Sequence, residues 1–170
     1  MQHILYLHGF LSSPKSVKAQ ATKAYFEQNH SDVRLHIPEL SNFPSKVEGQ
    51  LLDLIESTPA LLNDGLKLIG SSMGGYAAAA FSSLAEGAVV ICYNPVSTLA
   101  PDLVPWETGY DKGKQHNWDG RYRDSAAEIA TARQVYVLYD PMTRSDRLHA
   151  QRYRISISTP SGDLRGCEDD

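Results

Sequence analysis

The residues Gly70-Ser71-Ser72-Met73-Gly74 set a serine among small residues, directly after an apolar run at 66–69 and shortly before four alanines at 77–80. A G-x-S-x-G pattern becomes chemically useful where a strand turns sharply into a helix. The apex side chain is then exposed, and the small residues on either side let the two backbones approach closely. The helix N-terminus turns partial positive charge toward any oxyanion that forms there. Ser72 is the candidate nucleophile on these grounds. The second chemical feature is His8-Gly9, at the end of the run "HILYLH". Strands of a parallel sheet share one carboxyl edge, so this turn and Ser72 can face the same crevice. The backbone N–H of Phe10 or Leu11, with that of Met73, would form an oxyanion hole beside Gly9. The role expected of His8 is to brace that loop rather than to act as a base.

The elements that must position these residues follow from patterning. Apolar runs at 3–8, 33–38, 66–70, 88–93 and 134–139 read as strands, and "RISIST" at 154–159 as a further one. Between them, "VKAQATKAYFEQNH", "SKVEGQLLDLIEST", the segment from Met73 to about Ala85 and "DSAAEIATA" read as helices, with Pro59 closing the second. The strands are continuously apolar, the signature of burial on both faces. The expected fold is a three-layer α/β/α sandwich with a mostly parallel sheet, in a single domain over 1–170. An irregular, aromatic-rich insertion at about 96–123 interrupts it, and a stretch of that kind is more often functional than idle.

Composition narrows the classes. With 170 residues, 42% of them hydrophobic, the chain suits one globular core. Its net charge of −4 leaves no basic surplus for nucleic acid. No apolar run is long enough for a membrane span, and the start "MQHILYLHGF" reads as a strand rather than a leader. Cys92 sits within an apolar run and the other cysteine is Cys167, a usage that fits a reducing, cytoplasmic setting. No G-K-[ST] or G-x-G-x-x-G motif suggests phosphoryl transfer or a dinucleotide.

The combination of "ILYLHGFLSSPKSVKA", "IGSSMGGYAA" and "YNPV" resembles the small bacterial YqiA-type esterases of the α/β-hydrolase superfamily, over about residues 3–139. The resemblance implies a hydrolase of small carboxylic esters or thioesters, with no metal or organic cofactor. It lays Ser72 on the family's nucleophile and Phe10 and Met73 on its oxyanion donors. Beyond "VYVLY" the chain departs from the pattern. "TRSDRL" stands in for the acid turn and points to Asp146, with Asp140 as the alternative acid. "SGDLRG" occupies the place of the histidine loop, with Leu164 near the position of the base.

The base must therefore come from elsewhere. His3 and His36 fall in strands and His30 ends a helix, leaving His116 and His149 after Ser72. The superfamily order of serine, acid, histidine selects His149, because His116 precedes both acids. The expected triad is Ser72, Asp146 and His149. The competing account makes His149 a surface helical residue. The protein is then a catalytically impaired relative that binds an acyl-type small molecule.

Overall fold

The computed structural model describes residues 1–97 and 125–157. Five strands, β1 (Gln2–Leu7), β2 (Val33–His36), β3 (Lys67–Ser71), β4 (Val89–Tyr93) and β5 (Gln134–Leu138), form one sheet in the order β2-β1-β3-β4-β5. Every pairing is parallel. The strand order reverses between β1 and β3, where an open parallel sheet leaves a crevice at its carboxyl edge.

Alternation along the strands sends side chains to two cores. Leu5 and Leu7 of β1, Leu68 of β3, Val90 and Cys92 of β4, and Val135 and Val137 of β5 join the larger cluster. It also takes Val47 and Leu51 of α2 (Pro44–Ser57) and the alanines of α3 (Met73–Ala80). Ile129 of α4 (Ser125–Ile129) and Ala150 and Tyr153 of α5 (Arg144–Ile157) complete it. On the other face, Tyr6 and Ile69 bury against Ala19 of α1 (Val17–Asn29), with Phe26 packed beside them. The chain thus has the helix–sheet–helix layering that its continuously apolar strands imply.

α3 is buried at every position, which is why it is built of glycine and alanine around Tyr76. It ends at Ala80, and a short 3-10 turn at Ser82–Leu84 replaces the last helical turn expected from sequence. α4 is short, at 5 residues. The strand expected at 154–159 is overturned as far as Ile157, because α5 runs through it. The short Ile-Ser alternation loses to an anchor three residues beyond Ala150. Tyr153 is fully buried, and its hydroxyl donates to the Val96 carbonyl at 3.0 Å and shares a hydrogen bond with Ser125 Oγ. The aromatic insertion lies outside the described residues from 98 onward. So do His116, Leu164 and Cys167. Among the described residues no helix is long and apolar enough to cross a membrane.

Two glycines test this account of close packing in opposite directions. A Cβ on Gly74 would lie 2.0 Å from the Leu7 carbonyl oxygen, whereas one on Gly49, exposed in α2, would meet nothing within 4 Å. Gly74→Ala should cost at least about 3 kcal/mol in denaturant unfolding or prevent soluble expression, as overpacking against rigid backbone does. Gly49→Ala should gain about 0.5–1 kcal/mol from helix propensity.

Candidate functional site

Ser72 stands between the end of β3 and the start of α3, and its side chain is exposed. Its backbone has φ 54° and ψ −116°, a region where side chains other than hydrogen are strained. Such a residue costs of order 1–3 kcal/mol and persists only where its surroundings hold it. Here Ser72 N–H donates to the Tyr93 carbonyl at 3.0 Å, and its own carbonyl accepts from Tyr76 N–H at 3.1 Å and from Val96 N–H at 3.4 Å. Leu11 (φ 49°) and Asn94 (φ 43°), which follow β1 and β4, are also left-handed, as is Asp64 (φ 59°) in the turn before β3.

The small residues around Ser72 explain how the turn closes. A Cβ on Gly70 would fall 2.1 Å from the Gly74 carbonyl oxygen, so the strand and the first helical turn touch backbone to backbone. Gly9 reaches the same place from β1: a Cβ there would sit 3.4 Å from Ser72 Cβ and 4.0 Å from its Oγ. The structure therefore brings Gly9 and Ser72 together at the switch point. Met73, the first residue of α3, is buried and its amide has no intrahelical acceptor. Leu11 N–H is committed to Asn42 Oδ1 at 2.8 Å.

His8 is 1% exposed, and both ring nitrogens are occupied. Leu40 N–H can only donate, so Nε2, 3.0 Å away, accepts, and the ring proton sits on Nδ1, which donates to Gly9 O at 3.0 Å. Glu39, 4.0 Å from Nε2, consequently faces an unprotonated nitrogen rather than an ion-pair partner. His8 ties the Gly9 turn to the segment after β2, as a bracing residue does.

His149 is half-buried on α5 and is tied to the chain leaving β4. Its Nδ1 accepts from Ser97 N–H at 3.1 Å and lies 2.8 Å from Ser97 Oγ. The neutral ring then carries its proton on Nε2. Burial lowers the His149 pKa, the nearby Asp146 charge raises it in part, and Arg152 lowers it further. Asp146, three residues earlier on the same helix, acts on His149 through its charge, while its Oδ1 accepts from Ser145 Oγ at 3.4 Å. Asp140 is spent locally. Its Oδ1 accepts from Met142 N–H and its Oδ2 from Thr143 Oγ, bonds that hold its carboxyl below the usual range. Among the described residues no hydrogen bond engages the Ser72 hydroxyl. Cys92 is no rival nucleophile, since burial pushes its thiol up to about 12.

Ser97, Asn42 and Tyr153 shape this site without any signal in the sequence. Ser97 meets His149 across 52 residues of chain, a contact that no local pattern encodes. Among the described residues no group of three or more His, Cys, Asp or Glu could hold a metal.

This arrangement, a strained serine after the third strand of a parallel sheet beside a His-Gly turn, belongs to the α/β-hydrolase fold. The chain matches the uncharacterised protein family UPF0227 over residues 3–148 and is a member of that family, which includes the YqiA-type proteins it resembles in sequence. Solved structures agree on the fold. The ydeN gene product of B. subtilis superposes with a TM-score of 0.64 at 15% identity, covering 99% of this chain and 86% of its own. The monoacylglycerol lipase of Paleococcus ferrophilus gives 0.63 at 11% identity, covering 96% and 83%. The fluorophosphonate-binding serine hydrolase F of Staphylococcus aureus gives 0.64 at 13% identity, covering 98% and 75%.

The bracing role of His8 carries a direct expectation. His8→Ala leaves Leu40 N–H, buried in the core, without its acceptor, and should cost about 1–3 kcal/mol in urea unfolding. His8→Gln, which can accept from the same amide, should recover part of that loss.

Proposed function

We propose that this protein is a serine hydrolase of small carboxylic esters or thioesters that works through an acyl-enzyme at Ser72. The observation that carries the reading is the strained, exposed Ser72 held against Gly9 at the switch point of the sheet. Strain of this kind is retained where it positions a reacting group. The fold relatives include a monoacylglycerol lipase and a fluorophosphonate-binding serine hydrolase, which supports the same chemistry here.

In this reading Ser72 Oγ attacks the substrate carbonyl carbon and gives its proton to His149. The amides of Met73 and Phe10 stabilise the oxyanion. The tetrahedral intermediate collapses, the carbonyl–leaving-group bond breaks, and His149 returns the proton to the departing oxygen or sulfur. Water, deprotonated by His149, then releases the acid and restores Ser72. The proton path requires the other tautomer of His149, with Nδ1–H donated to Ser97 Oγ and Nε2 open. That exchange gives up the Ser97 N–H bond, worth about 1 kcal/mol. Asp146 favours the imidazolium through its charge. An acid that acts at a distance and a base that must change tautomer together imply slow turnover.

A fluorophosphonate probe should label Ser72, and Ser72→Ala should abolish the label while Ser71→Ala retains it. His149→Ala should lower kcat/KM for a small ester by about 10²–10⁴-fold. Because the base works unprotonated and its pKa lies below the ordinary 6.5, the rate should fall with acidity through a midpoint under that value. A pH profile unchanged in His149→Ala would remove His149 from the mechanism. Equal labelling in Ser72→Ala would remove the serine.

A further inference from the structure

The Gly9 turn has a cavity behind it that the proposed hydrolysis does not use. It lies on the α1 side of the sheet, measures about 260 Å³, and is lined by Tyr6, Ser12, Ser16, Val17, Lys18 and Ser71 together with the His8-Gly9 turn. The pocket on the opposite, α3 side is apolar and narrow, about 10 Å³, enough for roughly one water. The two differ in chemistry as well as size.

The larger cavity is lined by donors. Ser71 is 7% exposed and Tyr6 1% exposed, yet among the described residues neither hydroxyl has a hydrogen-bond partner. Buried hydroxyls without partners are uncommon, and each costs of order 1–3 kcal/mol unless something fills its bonding capacity. Burial, with Tyr93 nearby, raises the Tyr6 pKa, so the phenol remains a donor. From the other wall comes the N-terminus of α1, a helix of 13 residues whose first-turn amides carry partial positive charge. Ser16 Oγ caps this helix by accepting from Ala19 N–H at 3.4 Å, which leaves its own proton to donate. Lys18 adds a full positive charge and has no ion-pair partner among the described residues. Among the described residues no carboxylate lines the space.

From these observations we infer that the cavity between the α1 N-terminus and the Tyr6–Ser71 face of the sheet binds a phosphate group. Donors converge from two walls, which suits a tetrahedral group with oxygens pointing several ways better than a planar carboxylate. A volume of about 260 Å³ leaves room for the carbon skeleton that bears the phosphate. Gly9 lines the cavity and also touches Ser72, so a phosphate on the leaving group of an ester could be held while its carbonyl reaches the serine. This second step rests on the serine hydrolase reading. The binding site itself does not.

Titration of the full chain with inorganic phosphate, against chloride at equal ionic strength, tests the site without any catalysis. Calorimetry should show saturable binding and the melting temperature should rise with phosphate alone. Lys18→Gln, an exposed position that does not threaten folding, and Ser71→Ala should each weaken the phosphate affinity about tenfold, as loss of a charge-assisted donor does. No saturable effect beyond chloride, or one equally strong in both variants, overturns the proposal. Two esters with the same acyl group, one of a neutral alcohol and one of a phosphate-bearing alcohol, test the link to Ser72. The phosphate ester should show the higher kcat/KM, and Lys18→Gln should bring the ratio toward one. Phosphate binding with equal turnover of both esters overturns the link and leaves free phosphate as the ligand. Phosphate binding with neither ester cleaved sinks the hydrolase reading and leaves the site standing.

Discussion

The architecture depends on one close approach, where the first turn of α3 lies against the ends of β1 and β3. Gly70 meets the Gly74 carbonyl and Gly74 meets the Leu7 carbonyl at distances that leave no room for a methyl group. With the backbones that near, the chain has a single residue in which to change direction, and Ser72 takes the strain at φ 54°. The strain is tolerable because backbone bonds from Tyr93, Tyr76 and Val96 fix Ser72 from both sides. Loosening any of these would let the serine relax to an ordinary conformation and turn its hydroxyl away from the edge.

The same constraint organises the neighbouring loops. Gly9 lies beside Ser72, where even a methyl group would reach van der Waals contact, and His8 holds the turn with Nδ1 on the Gly9 carbonyl and Nε2 on the Leu40 amide. A histidine serves where two opposed backbone groups, one donor and one acceptor, need joining across a buried gap. On the far side, Val96 and Ser97 carry the β4 exit past Ser72 to the helix that bears His149. Tyr153 pins that helix through the Val96 carbonyl. The edge is therefore one connected hydrogen-bonded unit, and His149 enters it through Ser97 rather than through an acid.

Much of the fold was legible in the residues. The five strands were marked by continuous apolar runs, and the parallel arrangement followed from their lack of alternation. The glycines at 70 and 74 and the alanines after them announced a tight strand-to-helix turn, and His8-Gly9 announced its companion. Local pattern and tertiary anchoring disagree over residues 154–157. "RISI" alternates like a strand, but the helix entering it from Arg144 is already fixed by Ala150 and Tyr153 in the core.

Sequence by itself determined the layered fold, the identity of the strained serine and the small residues that make its turn possible, because all of these are encoded in short, contiguous patterns. It also supplied the order of Ser72, Asp146 and His149, but order says nothing of which nitrogen carries a proton. Only the tertiary structure decided that His149 accepts from Ser97, that Asp140 is consumed by its own turn, and that Tyr6 and Ser71 face a cavity at the start of α1. Ser97 and His149 meet across 52 residues of chain, and the cavity is walled by residues from β1, β3 and the start of α1. A hydrogen bond is set by angle and distance at the end of folding, and no spacing along the chain specifies either.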